Sequence, residues 1–179
     1  MLSSMDHCES CGFDYDALAI PDAPSALRVG AERIAEDLFS GDDSSIHNRP
    51  DPSTWSVVEY ACHVRDVIIV QRERLLLALV EEAPRFAPMY REERVALAGY
   101  DRESAVEVAQ ELTVVANLAA KVVALLDDRQ LARSCVFYFP EAHVRDMAWV
   151  VRHTVHEVVH HEQDVRRVRT RLMDDDVWT

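Results

Sequence analysis

The histidines of the sequence are concentrated in one short stretch that could bind a metal ion. Half of the chain's eight histidines lie within nine residues, at positions 153, 156, 160 and 161. In a helix that turns by about 100° per residue, His156 and His160 lie about 40° apart on one face. Such an i, i+4 pair of imidazoles can reach one divalent metal without distorting the backbone. The third ligand must come from another helix, and His63 is the only histidine within the other long helices that the sequence predicts.

The neighbours of this pair are expected to differ in role. His153 lies close to the stripe of His156 and His160, whereas His161 is turned away by roughly a quarter-circle. Clustered histidines in an acidic protein can also be ordinary surface residues, and this is the interpretation that we give to His161. For His63, His156 and His160, the pattern alone leaves metal binding and surface exposure both open.

Three charged residues are placed where they could serve such a site. Glu59 precedes His63 by about one helical turn, so its carboxylate could accept an imidazole N–H or act as a proton shuttle. The alternative is an exposed helix-start carboxylate that the helix dipole stabilises. Arg152 and Arg167 flank the histidine stripe, where they could hold a carboxylate of the substrate or thiol, or form surface ion pairs instead.

A second candidate metal site is the pair Cys8 and Cys11 in "CESCGF". The C-x-x-C-G pattern is typical of a turn that points two thiolates at one zinc ion, with glycine relieving the backbone at the tight end. No second C-x-x-C follows, so further ligands would have to come from histidines elsewhere, such as His7, His47 or His143, or from a second chain. A redox pair and plain terminal thiols are the alternatives.

Four long helices are predicted to position these residues. Apolar residues recur at helical spacing through segments rich in Ala, Leu, Glu and Arg, and only 4 glycines and 7 prolines interrupt the chain. The predicted helices cover residues 25–39, 54–82, 103–126 and 144–172. The expected fold class is therefore all-α, in the form of a four-helix bundle.

The segments between the helices carry turn and loop signals. Residues 40–54 form a turn-rich linker, in which Ser53 or Thr54 is expected to cap the second helix. Residues 81–101 hold two prolines and three aromatic residues, which favours an ordered connection packed over the bundle. Residues 134–140, "SCVFYFP", are predicted to be a short extended segment.

The predicted helix boundaries divide the chain into three parts. Residues 1–22 form an N-terminal extension that contains the C-x-x-C pair, and residues 23–172 form the helical domain. Residues 173–179 are predicted to be an acidic, solvated tail.

The charge balance limits the partners of the protein. The chain has 19 Lys and Arg against 32 Asp and Glu, a net charge of −13 without a basic stripe, which disfavours nucleic acid and anionic membranes. We find neither a signal-peptide pattern nor an apolar run long enough to cross a bilayer, and expect a cytoplasmic protein. In a reducing compartment, Cys62 and Cys135 are expected to be small buried residues rather than disulfide partners.

The motifs of the second and last helices resemble those of the DinB-like (DinB/YfiT) superfamily of metal-binding four-helix bundles. The stretch from Trp55 to His63 is similar to the family's W-S-x-x-E-x-x-x-H, and "HEVVHHEQDV" is similar to its H-x-x-x-H motif. The resemblance covers about residues 23–168. It implies an up-up-down-down bundle in which His63, His156 and His160 converge on one divalent metal.

The resemblance also implies an activity. Three imidazoles leave metal positions open to water or substrate, which is the pattern of a catalytic site. The resembled proteins include thiol S-transferases that use bacillithiol or mycothiol and a mycothiol-dependent maleylpyruvate isomerase, and "FAPMYREERV" resembles a segment of actinobacterial members. We therefore expect a metal-dependent thiol S-transferase that joins a small-molecule thiol such as mycothiol to an electrophile. Zinc, nickel and iron all suit the nitrogen ligands.

A non-catalytic protein of the same fold is the alternative, with the metal serving structure, redox chemistry or a stress response. An accessible metal position beside a cleft favours the enzyme, and a saturated metal under packed side chains favours the binding protein. Exposed apolar edges on the long helices also suggest a homodimer.

Overall fold

Four long helices contain most of the residues that the structure describes. The computed structural model describes residues 7–39, 45–138 and 141–176, with side chains up to Met173. The elements in chain order are α1 (Ala23–Asp37), α2 (Val57–Val80), α3 (Arg91–Ala98), α4 (Ala105–Val123), α5 (Asp128–Leu131), β1 (Ser134–Tyr138), β2 (Ala142–Asp146) and α6 (Met147–Asp176). Helices α1, α2, α4 and α6 correspond to the four predicted helices, so the expected four-helix bundle is confirmed. None of the described helices is both long and apolar enough to cross a membrane.

The core lies between two pairs of helices, because α1 and α2 each pack against both α4 and α6. Small and branched apolar residues fill it, among them Ala31, Ile34, Val64, Ile68, Leu112, Ala116 and Val151. Helix α6 packs closely on α1 at Gly30, where an added Cβ would lie 2.5 Å from Cγ1 of Val158. The missing side chain at Gly30 therefore sets how α6 sits against α1.

Helix α2 begins later than predicted. Ser53 and Thr54 do not cap it; the hydroxyl of Thr54 instead donates to Asp51, at 2.9 Å. Ser56 is the N-cap residue, and its hydroxyl accepts the N–H of Glu59 at 3.3 Å. The Glu59 carboxylate accepts the Ser56 N–H at 2.8 Å, which completes a capping box.

A β-hairpin takes the place of the predicted start of the last helix. Residues 144–146 were expected to be helical, but they belong to β2, which pairs antiparallel with β1 from Ser134 and Asp146 to Tyr138 and Ala142. Burial alternates along β1, which is the period of a strand. The extended segment that was predicted is thus confirmed over residues 134–138, while residues 139–140 lie outside the described part.

The connection between α2 and α4 is ordered, as predicted. It contains α3, and Phe86 and Tyr100 are 4% and 0% exposed. The N–H of Phe86 donates to the carbonyl of Val136 in β1 at 2.9 Å. This segment therefore packs over the bundle beside the hairpin. In the linker before α2, residues 40–44 lie outside the described residues.

The segment before α1 packs against α6. Tyr15 is 5% exposed, and its ring stacks on Trp149 with a centroid distance of 5.7 Å. At the other end of the chain, α6 continues to Asp176, so residues 173–176 of the predicted tail are helical, and residues 177–179 lie outside the described part.

Candidate metal centre

Helix α6 presents two pairs of ligand residues, each with i, i+4 spacing and offset by one position. His156 and His160 form one pair, and Glu157 and His161 form the other. A one-residue offset rotates the second pair by about 100° around the helix. The two pairs therefore face different neighbours, and each has its own partners.

The pair Glu157 and His161 faces α2, where it meets His63. One ligand atom from each of these three residues lies within 4.8 Å of the others, and we call this set the inner cluster. His63 is 2% exposed, and its ring lies 4.8 Å from that of His161. Neither ring nitrogen of His63 has a hydrogen-bond partner among the described residues. Since a buried imidazole without a partner costs free energy, His63 fits the role of a metal ligand.

Charge in the inner cluster comes from Glu157. Burial raises the pKa of this carboxyl group, but His156 and His161 outweigh that effect and hold the pKa well below its ordinary value. For His63, burial lowers the pKa to about 3, so the imidazole is neutral at pH 7 and can donate a lone pair. The inner cluster thus offers one anionic and two nitrogen donors.

Asp164 orients His161 from outside the inner cluster. Its carboxylate lies 2.9 Å from Nδ1 of His161, which leaves Nε2 facing Glu157 at 3.7 Å. Burial lowers the pKa of His161, but Asp164 and Glu157 raise it to about 9. A carboxylate on the far nitrogen of an imidazole is the usual way to fix the ring of a metal ligand.

The pair His156 and His160 faces the N-terminal segment, where it meets Cys8 and Cys11. Ligand atoms from these four residues all lie within 4.8 Å of one another, and we call this set the outer cluster. Sγ of Cys8 lies 3.5 Å from Nδ1 of His160. Burial raises the pKa of Cys8, but the imidazoles of His156 and His160 and the backbone at Cys11 outweigh it and lower the pKa to about 6.

His153 belongs to neither cluster, although it lies next to both. Its Nδ1 is 2.8 Å from the hydroxyl of Tyr15, and its ring stacks on Trp149 at 4.7 Å. Burial lowers the pKa of His153 to about 4, so the ring is neutral at pH 7. His153 therefore anchors the N-terminal segment and forms part of the wall of the site.

A cavity of about 520 Å³ opens beside the inner cluster. It is lined by residues of α2, of the connection that includes α3, of β1 and of α6. Among them are His63, Val67, Gln71, Arg74, Met89, Tyr90, Arg91, Phe137, His153, His156, Glu157, His160 and His161. This volume lies in the range of small-molecule sites, which combine apolar walls with a few polar groups.

The histidines of the predicted triad all line this cavity, but the structure divides them between the two clusters. Within the described chain, no set of ligand atoms 4.8 Å apart or less combines His63 with both His156 and His160. The reason is rotational, because α6 turns Glu157 and His161 towards α2, and His156 and His160 towards Cys8. The expectation that His161 is a surface residue is wrong, since it is 6% exposed.

Glu157 was not among the predicted ligands. A signal for it existed, because Glu157 and His161 have the same i, i+4 spacing as the chosen pair, and a carboxylate is an ordinary metal ligand. For Cys8 and Cys11, histidines such as His7, His47 or His143 were the expected partners, and the structure brings His156 and His160 to them instead.

The charged residues that were singled out have other contacts. Both oxygens of Glu59 are engaged by Arg49 and by the backbone of Ser56, which matches the helix-start alternative in position. The carboxylate is not exposed as that alternative expected, because Glu59 is 3% exposed. Arg152 donates to the carbonyl of Leu18 at 3.1 Å.

Arg167 binds Asp164 at 2.6 Å and the carbonyl of Ser10 at 3.2 Å. Neither Arg167 nor Arg152 lines the cavity as far as the described residues define it, whereas Arg74 and Arg91 do.

Comparison with known proteins gives one family and two similar structures. The family model described as the DinB superfamily matches residues 27–165. One similar structure is YfiT from Bacillus subtilis, described as a probable metal-dependent hydrolase with an unusual four-helix bundle topology. It is 15% identical to this chain with a TM-score of 0.78, and the match covers 87% of this chain and 90% of the YfiT chain.

The second similar structure is the mycothiol-dependent maleylpyruvate isomerase, which is 14% identical to this chain with a TM-score of 0.67. The match covers 84% of this chain and 62% of the isomerase chain. At these identities, the likeness to both proteins shows a shared fold. Among curated proteins no match is found.

Proposed function

The chain belongs to the DinB superfamily. From this premise we propose that it is a metal-dependent thiol S-transferase, an enzyme that joins a low-molecular-weight thiol to an electrophile. The observation that carries this proposal is the position of the inner cluster, His63, Glu157 and His161, on the wall of a cavity of about 520 Å³. A second candidate, a non-catalytic metal-binding protein of the stress response, uses the same cluster without a substrate.

The inner cluster has the composition of a catalytic metal site. Two imidazoles and one carboxylate are a ligand set of hydrolytic zinc enzymes, which keep a further position open. When bound there, a divalent metal would polarise the electrophile and lower the pKa of the thiol. Zinc, nickel and iron suit these donors. This proposal keeps His63 from the predicted triad and replaces His156 and His160 by Glu157 and His161.

The wall of the cavity supplies groups that could bind and orient a substrate. Arg74 is 9% exposed, and its guanidinium lies over the ring of Phe137 at 4.8 Å. Burial lowers the pKa of Arg74 to about 10, so it is cationic at pH 7. Arg91 lies at the cavity rim, where it is 53% exposed. We assign to these two arginines the binding of a carboxylate, the role that was expected of Arg152 and Arg167.

The apolar part of the wall favours a substrate with an apolar portion. Val67, Met89 and Phe137 line the cavity on the sides of α2, the connection and β1. Their side chains exclude water from that part of the cavity, which strengthens the electrostatic attraction to a carboxylate. The fold shared with the mycothiol-dependent isomerase, together with the actinobacterial resemblance of "FAPMYREERV", supports mycothiol as the first thiol to test.

A matrix of thiols and electrophiles tests this function. Metal-loaded protein is incubated with mycothiol, bacillithiol or glutathione and with an epoxide, an activated aryl halide or an unsaturated carbonyl compound, and the adducts are measured by mass spectrometry. We expect conjugation with one thiol that a chelator abolishes. His63→Ala should lower the rate by roughly 100-fold or more, because even outer partners of metal ligands contribute 10- to 100-fold.

The matched control is His143→Ala, which removes a histidine that the structure places in β2, outside both clusters. It should keep the wild-type rate. A protein that retains its metal but conjugates none of these thiols would contradict the transferase proposal and favour the binding protein.

A further inference from the structure

The N-terminal segment forms a turn around two cysteines. The carbonyl of Cys8 accepts the N–H of Gly12 at 2.7 Å, and the N–H of Cys8 donates to the carbonyl of Phe13 at 2.8 Å. Gly12 has a φ of +73°, a conformation that residues with a side chain rarely adopt. This turn places both Cys8 and Cys11 on the side that faces α6.

The turn is held on α6 by contacts that do not involve the cysteine thiols. Gln163 donates from Nε2 to the carbonyl of Cys11 at 3.0 Å, and Arg167 donates to the carbonyl of Ser10 at 3.2 Å. The ring of Phe13 lies 5.5 Å from that of His156. The protein therefore brings the thiols to the histidines through its own packing and hydrogen bonds.

The four side chains of the outer cluster match one type of metal centre. In a tetrahedral zinc site with bonds of about 2.0–2.3 Å, the ligand atoms are separated by roughly 3.3–3.8 Å. The ligand atoms of the outer cluster all lie within 4.8 Å of one another, so small side-chain rotations are enough to close the site. Two thiolates and two imidazoles are a ligand set that selects zinc among the common divalent metals.

The imidazole of His156 provides a second, independent observation. Both of its ring nitrogens are buried, and neither has a hydrogen-bond partner within the described part of the chain. Nδ1 lies 3.2 Å from Oε1 of the adjacent Glu157, but without hydrogen-bond geometry. A buried polar atom normally has a partner, and a metal would supply one for His156.

We propose that Cys8, Cys11, His156 and His160 bind a structural zinc ion, separate from the metal of the inner cluster. Four protein ligands complete a tetrahedral coordination, so this zinc has no open position for a substrate. Its role is to fasten the N-terminal turn to α6 beside the cavity. This proposal does not depend on the transferase activity, because it concerns a different ligand set.

Cobalt and thiol alkylation test this site on the unmodified protein. Co²⁺ added to metal-free, reduced protein should produce the near-ultraviolet band of thiolate-to-cobalt charge transfer, and excess Zn²⁺ should remove it. Peptide mapping after iodoacetamide treatment should show Cys8 and Cys11 protected in the zinc-loaded protein and alkylated after chelation. A cobalt complex without the thiolate band, or equal alkylation with and without zinc, would overturn the proposal.

Substitutions in each cluster then distinguish the two metal sites. Elemental analysis of wild-type protein should give about two metals per chain, and Cys8→Ser/Cys11→Ser should give about one. The matched control Glu9→Ala/Ser10→Ala changes the same turn between the cysteines and should retain both metals. His160→Gln should abolish the thiolate band, whereas His161→Gln should leave it. A Cys8→Ser/Cys11→Ser variant with unchanged metal content would also refute the structural zinc.

Discussion

Glu157 sets the charge of the inner cluster. A metal must displace the proton of His161, whose pKa is raised to about 9. With two neutral imidazoles and one carboxylate, a divalent metal then keeps a net charge of +1, whereas the two thiolates of the outer cluster neutralise their metal. Only the inner cluster therefore attracts an anionic group from the cavity. This difference in charge follows from residue types alone and assigns chemistry to one cluster and structure to the other.

Replacement of Glu157 should remove one metal selectively. Glu157→Gln keeps the size of the side chain but loses the anionic donor, so we expect about one metal per chain to remain. The cobalt–thiolate band of the outer cluster should persist in this variant. Glu162→Gln is the control, because Glu162 lies on the same helix but pairs with Arg166 at 2.6 Å instead. Loss of both metals from Glu157→Gln would count against two separate sites.

Glu59 is expected to contribute to stability and not to catalysis. Burial raises its pKa, but Arg49 and the N-cap backbone outweigh that effect and lower the pKa below its ordinary value of 4.5. A carboxyl group with a depressed pKa stabilises the fold above its unfolded-state pKa, and the contribution is lost as the pH falls. Glu59→Gln should therefore lower the free energy of unfolding by about 1–2 kcal/mol at pH 7, and by less as the pH falls below 4.5.

Urea unfolding of wild type and Glu59→Gln at several pH values measures this difference. The metal content and the conjugation rate should be the same in both proteins. A large loss of rate with normal metal content would restore the proton-shuttle role to Glu59.

At the scale of elements, the contact between α1 and α6 sets which residues of α6 face α2. Val158 lies next to Glu157 in sequence and packs on Gly30, so this contact fixes the rotation of the helix at the metal ligands. A rotation of α6 by one residue position would turn His156 and His160 towards α2 in place of Glu157 and His161. The core of the bundle thus determines which ligand pair faces α2 and which faces the N-terminal segment.

An alanine at position 30 should destabilise the bundle. Its Cβ would lie 2.5 Å from Cγ1 of Val158, whose branched side chain has little freedom to move away. Overpacking costs about 1–3 kcal/mol, and the better helix propensity of alanine offsets about 1 kcal/mol. We expect Gly30→Ala to lower the free energy of unfolding by up to about 2 kcal/mol in urea unfolding.

A double variant tests whether the clash with Val158 causes the loss of stability in Gly30→Ala. If the clash dominates, Gly30→Ala/Val158→Ala will lose less stability than the two single variants added together. Val29→Ala, at an exposed position of α1, should be nearly neutral. Additive losses from Gly30→Ala and Val158→Ala would argue that the two residues do not interact.

The helices could be predicted from the sequence, but the ligand pairing could not. Periodicity and capping signals determine helices locally, and His63 could be singled out because its neighbours matched a motif. His156 and His160 have the same spacing as Glu157 and His161, so spacing cannot decide which pair meets His63. That choice depends on the rotation of α6, which the packing of Val158 on Gly30 sets at long range.

At the scale of the whole molecule, an apolar stripe on α4 supports the expected homodimer. Val106, Val114 and Leu118 are 52%, 57% and 42% exposed and lie on one face of the helix. If this face is the dimer interface, Val114→Glu/Leu118→Glu should produce monomers in sedimentation velocity, with unchanged circular dichroism. Val80→Glu, at an exposed residue of α2, should leave the dimer intact. A monomeric wild-type protein at every concentration would contradict the homodimer.

The one-residue offset between the ligand pairs on α6 has an evolutionary consequence. Each pair serves a different metal, so each should be inherited with its own partners. In related sequences, His156 and His160 should vary together with Cys8 and Cys11, and should be free to change wherever the cysteine turn is lost. A histidine at position 63 should instead accompany the acidic residue at 157 and the histidine at 161. The two metals should therefore leave two separate patterns of covariation in neighbouring columns of one helix.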